Sequence, residues 1–528
     1  MMHERAAVFL YSPLDVMPFM HFSGGRIPLG QKIGQANYSV REAGSAGGIG
    51  KELLYCNINR KNAAEHADHR QWRRNPDVAE YISSKVNRNS YPSELKITDV
   101  RFTDIVGAPM HCTLMKIYTN QGIVGLSEVR DGGNRVFAEM LKSRILGENP
   151  CNVEKLFRRI KQFGGPARQG GGVCGVEVAL WDLAGKAYGV PVYQMLGGKY
   201  RDKIRCYCDT DVEGKHTGHD MGLALKARME KGFTFAKMDL GLGELFGEPG
   251  TINAPLGMIE EMHEASRRAA QATTVEERRY WRNRSYDYQN IPHPFTGIHL
   301  TEKGFDQLEQ YVKDVREVIG YDIPLAIDHF GHIGVEDCIK LCRRLEKYNI
   351  AWAEDMIPWQ YTDQYVRLSE ATTVPICTGE DIYLAEGFEP LLQKRAVSVI
   401  HPDILSSGGI LENKKIGDLA QRYGVAMAVH MAETPVSALA CVHSVAATEN
   451  FYVLENHSVD VPWWDDITIG NQKPLVDHGF ITVPDAPGLG AEDYNDEVIR
   501  EHLHPDYPEL WAETSRWDDV YSHDRLWS

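Results

Sequence analysis

Two periodicities organise the hydrophobic and polar positions of this chain. Short apolar runs at 324–328, 350–354 and 374–380 each close on an acid: Asp328, Glu354 and Glu380. The intervals 354 − 328 and 380 − 354 are both 26. Within the first gap Val335, Ile339, Cys342 and Leu345 recur at helical spacing and predict a helix over 335–345. A strand, a helix and two short loops together form the repeat of a parallel βα unit. The pattern then continues. Residues 396–400 lead into His401-Pro402-Asp403, 426–429 into His430, and 451–454 into Glu455. Upstream, Phe235-Ala236 leads into Lys237-Met238-Asp239, and 204–208 supplies one more run. Eight such runs predict a (β/α)8 barrel, whose site sits at the C-terminal strand ends.

Chemistry follows from that geometry. Acids at equivalent ends of consecutive parallel strands converge, and three anionic groups repel unless a cation joins them. An all-oxygen set of Asp328, Glu354 and Glu380 suits one Mg²⁺. Capping of the following helices is the plain alternative, but it does not account for six successive ionisable ends. His430 and Asp403 end neighbouring strands, so the carboxylate can fix the imidazole tautomer and raise its basicity. His430 is the candidate base. Period-two alternation puts Lys237 and Asp239 on one inward face.

The order lysine, Asp, Glu, Glu, Asp, His, Glu along successive strands resembles the enolase superfamily, mandelate racemase subgroup. Ala179-Leu180-Trp181-Asp182-Leu183-Ala184-Gly185-Lys186, Gly189-Val190-Pro191-Val192, Pro402-Asp403 with Gly408-Gly409, and Pro487-Gly488-Leu489-Gly490 carry the likeness over roughly 94–505. The resemblance implies a modified TIM-like barrel with an α+β capping domain built from N- and C-terminal segments. It also implies Mg²⁺-assisted removal of a proton next to a carboxylate, through an enediolate. In that family the His430–Asp403 pair transfers the proton and Glu455 hydrogen-bonds a substrate carboxylate oxygen. Many relatives carry Lys-x-Lys where this chain has Lys237-Met238-Asp239. The usual second base of racemases is therefore missing, which favours β-elimination of water.

On this reading Lys237 neutralises the substrate carboxylate or enolate, and Asp239 meets substrate hydroxyls. Some sugar-acid dehydratases have histidine two residues after the metal aspartate. Phe330 stands there, so His332 is offered as the acid, with His430 acting twice as the alternative. His401 replaces a common glutamine and is expected near the substrate, orienting its neighbours. The expected function is dehydration of an aldonate or related sugar acid to a 2-keto-3-deoxy acid. An epimerase, racemase or cycloisomerase on the same scaffold, or a non-catalytic sugar-acid binder, are the alternatives.

The expected domains are an extension over 1–93, a cap over 94–200, a barrel over 201–470 and a C-terminal segment, 471–528, returning to the cap. An insertion over about 242–299 contains Arg278-Arg279-Tyr280-Trp281-Arg282-Asn283-Arg284. Following a strand's C-terminal end, it offers Arg279 and Arg282 as carboxylate or hydroxyl contacts, with subunit packing as the other reading. Glycine-rich stretches at 130–133 and 166–172 are expected to be hinged loops over the mouth. Residues 44–51 look like a phosphate loop but have the wrong glycine spacing, and Glu52 stands where Ser or Thr belongs. A net charge of −16 disfavours nucleic acid and anionic membrane as partners. The ten cysteines fall in apolar runs without zinc-type pairing, as expected of reduced core thiols in a cytoplasmic protein. No stretch approaches a membrane span. A small-molecule sugar acid and further copies of the chain, in a homo-oligomer, are the expected partners.

Overall fold

The computed structural model describes residues 90–520, apart from 163–164, 211–213, 216, 246, 292, 294–296 and 329–332. The segment 44–51 and His332 lie outside the described residues. An antiparallel meander comes first: β1 (Ile97–Ile105), β2 (Cys112–Thr119) and β3 (Val124–Val129). The long helix α1 (Gly172–Tyr188) packs on it. Asp182 of α1 accepts from the backbone N–H of Leu126 at 2.9 Å and of Leu489 at 2.8 Å. One buried carboxylate thus ties the meander to the Pro487 turn.

A closed parallel barrel follows. Its strands are β4 (Lys203–Cys208), β5 (Ala236–Asp239), β6 (Leu325–Asp328), β7 (Ile350–Glu354), β8 (Ile376–Thr378), β9 (Val399–Ile400), β10 (Ala426–Val429) and β11 (Phe451–Asn456). Each pairs in parallel with the next, and β11 closes the ring on β4. Helices α2 (Gly218–Glu230), α5 (Glu302–Ile319), α6 (Val335–Leu345), α7 (Thr362–Ala371), α8 (Ala385–Gln393), α9 (Ile410–Arg422) and α10 (Pro435–Ala446) alternate with the strands. The predicted 335–345 helix is α6, its buried face formed by Val335, Cys338, Leu341, Cys342 and Leu345. The run at 396–400 yields only a two-residue strand, because Ala396 and Val397 turn into β9 from the end of α8.

Between β5 and α5 the chain makes a helical hairpin, α3 (Met258–Gln271) against α4 (Val275–Asn290). An antiparallel clasp closes its base, pairing Ile252 with Leu300 and Asn253 with His299. After the barrel, residues 480–482 add antiparallel to β4. The chain then returns to the meander, where Leu503 bridges Ile105 and Ala512 bridges Phe102.

Two buried glutamates lock the cap onto the barrel. Glu177 of α1 accepts from the N–H groups of Ile410 (2.7 Å) and Leu411 (3.2 Å) at the start of α9, and from Trp181 Nε1 (2.6 Å). Gly409 permits this approach: with φ +92°, a Cβ there would stand 2.0 Å from Glu177 Oε2. Glu128, near the end of β3, accepts from Thr434 Oγ1 (2.7 Å) and Ser437 N (2.9 Å) at the start of α10. Carboxylates suit these helix N-termini because the first N–H groups of a helix lack partners within it. Glu177→Ala is expected to lower the unfolding free energy by about 3 kcal/mol or more, since each buried donor left unpaired costs about 1–3 kcal/mol. Urea unfolding of the variant against wild type measures this.

Candidate active site

The site begins with an apolar floor. Tyr207, Phe235, Ala326, Trp352, Cys377, Val399, Ala428 and Val453, one from each strand run, form a buried cluster inside the barrel. Alternation puts the residue two positions further along each strand on the same inward face. Those residues are Asp209, Lys237, Asp328, Glu354, Gly379, His401, His430 and Glu455. The interior therefore changes within one layer from hydrocarbon to ionisable groups. Gly379 is the exception. Its φ is +145° and a Cβ would lie 2.7 Å from Phe388, so Glu380 supplies the charge one residue later.

Lys237 holds the centre of this layer. Its Nζ lies 3.0 Å from Asp328 Oδ2, 3.2 Å from Glu354 Oε1 and 2.8 Å from Glu455 Oε1. Burial opposes its charge, but those three acids hold the ammonium well above its ordinary range. Glu354 is also buried, yet His401 and Lys237 hold its carboxyl down at about 2. Trp352 Nε1 donates to its other oxygen at 2.7 Å. His401 has Nδ1 2.7 Å from Glu354 and Nε2 3.0 Å from the Tyr207 hydroxyl.

The His430–Asp403 pair is assembled by two strand ends. Asp403 Oδ1 accepts from Leu405 N at 2.6 Å and Ser406 N at 3.0 Å, which orients the carboxylate as a helix cap. Its Oδ2 accepts from His430 Nδ1 at 2.7 Å. Nε2 then faces the mouth, 3.4 Å from Glu380 and 3.8 Å from Glu455. Burial pulls the imidazole toward neutrality, but Glu380, Glu455 and Asp403 outweigh it and raise its pKa well above normal.

Above the layer opens a cavity of about 440 Å³. Lys237, Asp239, Asp328, Glu380 and His430 line it, with Asp209 and His457 beside them. Arg130, Met110 and their neighbours reach it from the cap, so cap and barrel share the site. Arg130 Nη1 pairs with Asp381 at 2.6 Å, and Nη2 lies 3.5 Å from Glu380. The stretch expected as a second hinge instead packs beneath Arg130: a Cβ on Gly171 would lie 2.6 Å from Arg130 Cβ. Asp239 is pushed up to about 9 by burial, then by the charges of Asp209 and Asp328.

Three expected contacts fall elsewhere. His401 is fully buried below the cavity, where it supports Glu354 and Tyr207 rather than meeting a substrate. Arg279 and Arg282 are exposed on α4 and do not line the cavity; the hairpin packs mainly on itself. Asp209 and His457 were not singled out from sequence. The signal was present, since each lies two residues beyond an inward-facing position, Tyr207 and Glu455.

The acids fit a hard divalent cation. Glu354, Asp355 and Glu380 each offer an oxygen within 4.8 Å of the others. Burial raises Asp328 to about 7; Lys237 opposes the rise, and Glu354 and Glu380 add to it. Burial and the same neighbours lift Asp355 well above its ordinary range. Both acids thus resist ionising, first through burial and then through neighbouring carboxylates, and a cation among them would favour their charged forms.

Comparison with known proteins agrees with this geometry. Residues 222–497 match the family described as Enolase C-terminal domain-like, and residues 85–197 match the Mandelate racemase / muconate lactonizing enzyme, N-terminal domain. The chain is 31% identical over 405 residues to the D-xylonate dehydratase of Haloferax volcanii, covering 75% of this chain and 86% of that protein. It is 28% identical to the arabinonate dehydratase of Saccharolobus solfataricus, covering 75% and 91%. Among solved structures, a mandelate racemase/muconate lactonizing enzyme-like protein from Rubrobacter xylanophilus aligns with a TM-score of 0.65 at 27% identity, covering 79% of this chain and 99% of that one.

A cation that relieves this repulsion must stabilise the fold. Chelation is expected to lower the melting temperature and added Mg²⁺ to restore it; an ion at 100 times its Kd contributes about 2.7 kcal/mol. Glu354→Gln is expected to shrink that thermal shift, measured by differential scanning fluorimetry.

Proposed function

This chain belongs to the mandelate racemase/muconate lactonizing enzyme group of the enolase superfamily, and from that membership we propose that it is a hydro-lyase converting a sugar acid to a 2-keto-3-deoxy acid. The observation that carries the reading is the shared cavity: His430, Lys237, Asp239, Asp328 and Glu380 all line it. The named relatives are dehydratases of D-xylonate and arabinonate.

Asp328, Glu354 and Glu380 are the proposed ligands, with Mg²⁺ the preferred ion for an all-oxygen set. The ion supplies Lewis-acid stabilisation of the negative charge that develops on the substrate carboxylate. His430 in its neutral form takes the α-proton on Nε2, and Asp403 holds the ring so that this nitrogen faces the cavity. The β-hydroxyl leaves as water with the proton carried by His430, and the enol so formed tautomerises to the 2-keto acid. Lys237 is not assigned as a base. Its Nζ donates to Asp328 and Glu354 and is ion-paired with Glu455 at 2.8 Å, so it stabilises those anions and the charge forming above them. Asp239 is assigned to a substrate hydroxyl. Glu455 acts from beneath the cavity, through Lys237 and His430. The proposal extends to a cytoplasmic location, which the buried unpaired thiols among the described residues support. It extends also to a homo-oligomer, for which the hairpin with its exposed Tyr280 and Tyr286 is the proposed contact.

A panel of C5 and C6 sugar acids, incubated with Mg²⁺ and assayed for 2-keto acid, tests the reaction. Loss of water from at least one member supports it; epimers formed without water loss overturn it. His430→Asn is expected to lower kcat by about 10²- to 10⁴-fold, the usual contribution of a general base. The Mg²⁺-induced thermal shift should survive that change.

A further inference from the structure

One cluster at the mouth has a donor chemistry different from the carboxylate set. His430, Glu455 and His457 each offer a ligand atom within 4.8 Å of the others. His457 Nε2 lies 3.3 Å from Glu455 Oε1, and His430 Nε2 lies 3.8 Å from Glu455 Oε2. Neither Glu455 oxygen nor His457 Nε2 makes a hydrogen bond, although all three atoms are buried. Both imidazoles turn Nε2 toward Glu455 and Nδ1 toward another carboxylate. For His430 that carboxylate is Asp403, at 2.7 Å; for His457 it is Asp209, at 3.7 Å. A carboxylate hydrogen-bonded behind a ligating histidine, as Asp403 is behind His430, is the usual outer support of a metal site, because it fixes the tautomer and strengthens the donor nitrogen. Both histidines line the cavity, so an ion can enter from the substrate side.

We propose that His430, Glu455 and His457 form a second metal site, selective for borderline-soft divalent cations of the Zn²⁺ class, whose occupation blocks turnover. Two imidazoles and one carboxylate suit Zn²⁺ or Co²⁺, with a fourth position open toward the cavity. Mg²⁺ prefers oxygen donors and remains with the acids. Selectivity thus arises from ligand type across a few ångströms of one site. The bound ion engages the lone pair of His430 Nε2, which then cannot accept a proton. The blocking part rests on His430 as the base; the binding part does not.

Co²⁺ is the probe, added to the full chain already loaded with Mg²⁺. The expected result is intense visible absorption from a low-coordinate, nitrogen-ligated ion, abolished by Zn²⁺ in competition. His430→Asn and His457→Gln should each weaken Co²⁺ binding at least about tenfold, as loss of even an outer support does. Circular dichroism confirms that each variant is folded, and His457→Asn replaces His457→Gln if that variant is not. Zn²⁺ should stop turnover of wild type over the range in which it displaces Co²⁺. Weak, octahedral-type absorption unchanged in the folded histidine variants would overturn the site and leave the base assignment standing. Histidine-dependent binding with undiminished turnover would keep the site and overturn the assignment of His430.

Discussion

A lysine buried at the centre of a barrel is tolerable only if its charge is matched. The Lys237 ammonium lies within hydrogen-bond range of Asp328, Glu354 and Glu455. Removing water from an unpaired ammonium costs several kcal/mol, and so does removing it from each unpaired carboxylate. The groups therefore require one another. The proposed metal ligand Glu380 also lies 3.4 Å from His430 Nε2, so the proposed metal and proton-transfer groups form one electrostatic unit.

The layered interior explains why the unit is rigid. Below it, Phe235, Trp352 and Tyr207 pack ring against ring, with centroids 4.9–6.0 Å apart. This floor excludes water and strengthens every charge interaction above it. From outside, Glu177 and Glu128 seat the cap on α9 and α10, the barrel helices that follow the strand ends carrying Asp403 and His430. The His430–Asp403 pair is thus held by the barrel strands on one side and the cap on the other. In the proposed mechanism the absent second lysine and the ion pairs of Lys237 leave one face with a base, which suits elimination better than inversion at carbon.

Much of this was legible in the sequence, because period and position carry the information. The recurring acids marked the ends of β6 and β7, and the spacing of Val335 to Leu345 marked α6. Other features were not legible, for physical reasons. Whether an insertion after a strand bends over the mouth depends on packing, so Arg279 and Arg282 could be placed in the insertion but not away from the cavity. His401 follows β9 directly and carries the right polarity for a substrate contact. Its depth is set by Tyr207 and Glu354 from other strands, which no local pattern reveals. Asp209 directly follows the run 204–208, so its signal was present; His457 lies beyond the end of its run, and counting two residues past Glu455 finds it.

The central claim is that one histidine, His430, takes the α-proton while Lys237 holds charge. Exchange of that proton with D₂O, followed by NMR, tests it most directly. Wild type and the His430→Asn and Lys237→Met variants are compared with Mg²⁺ bound. The account predicts that exchange disappears in His430→Asn and persists, slowed, in Lys237→Met. Exchange at the wild-type rate in His430→Asn, with none in Lys237→Met, would contradict it.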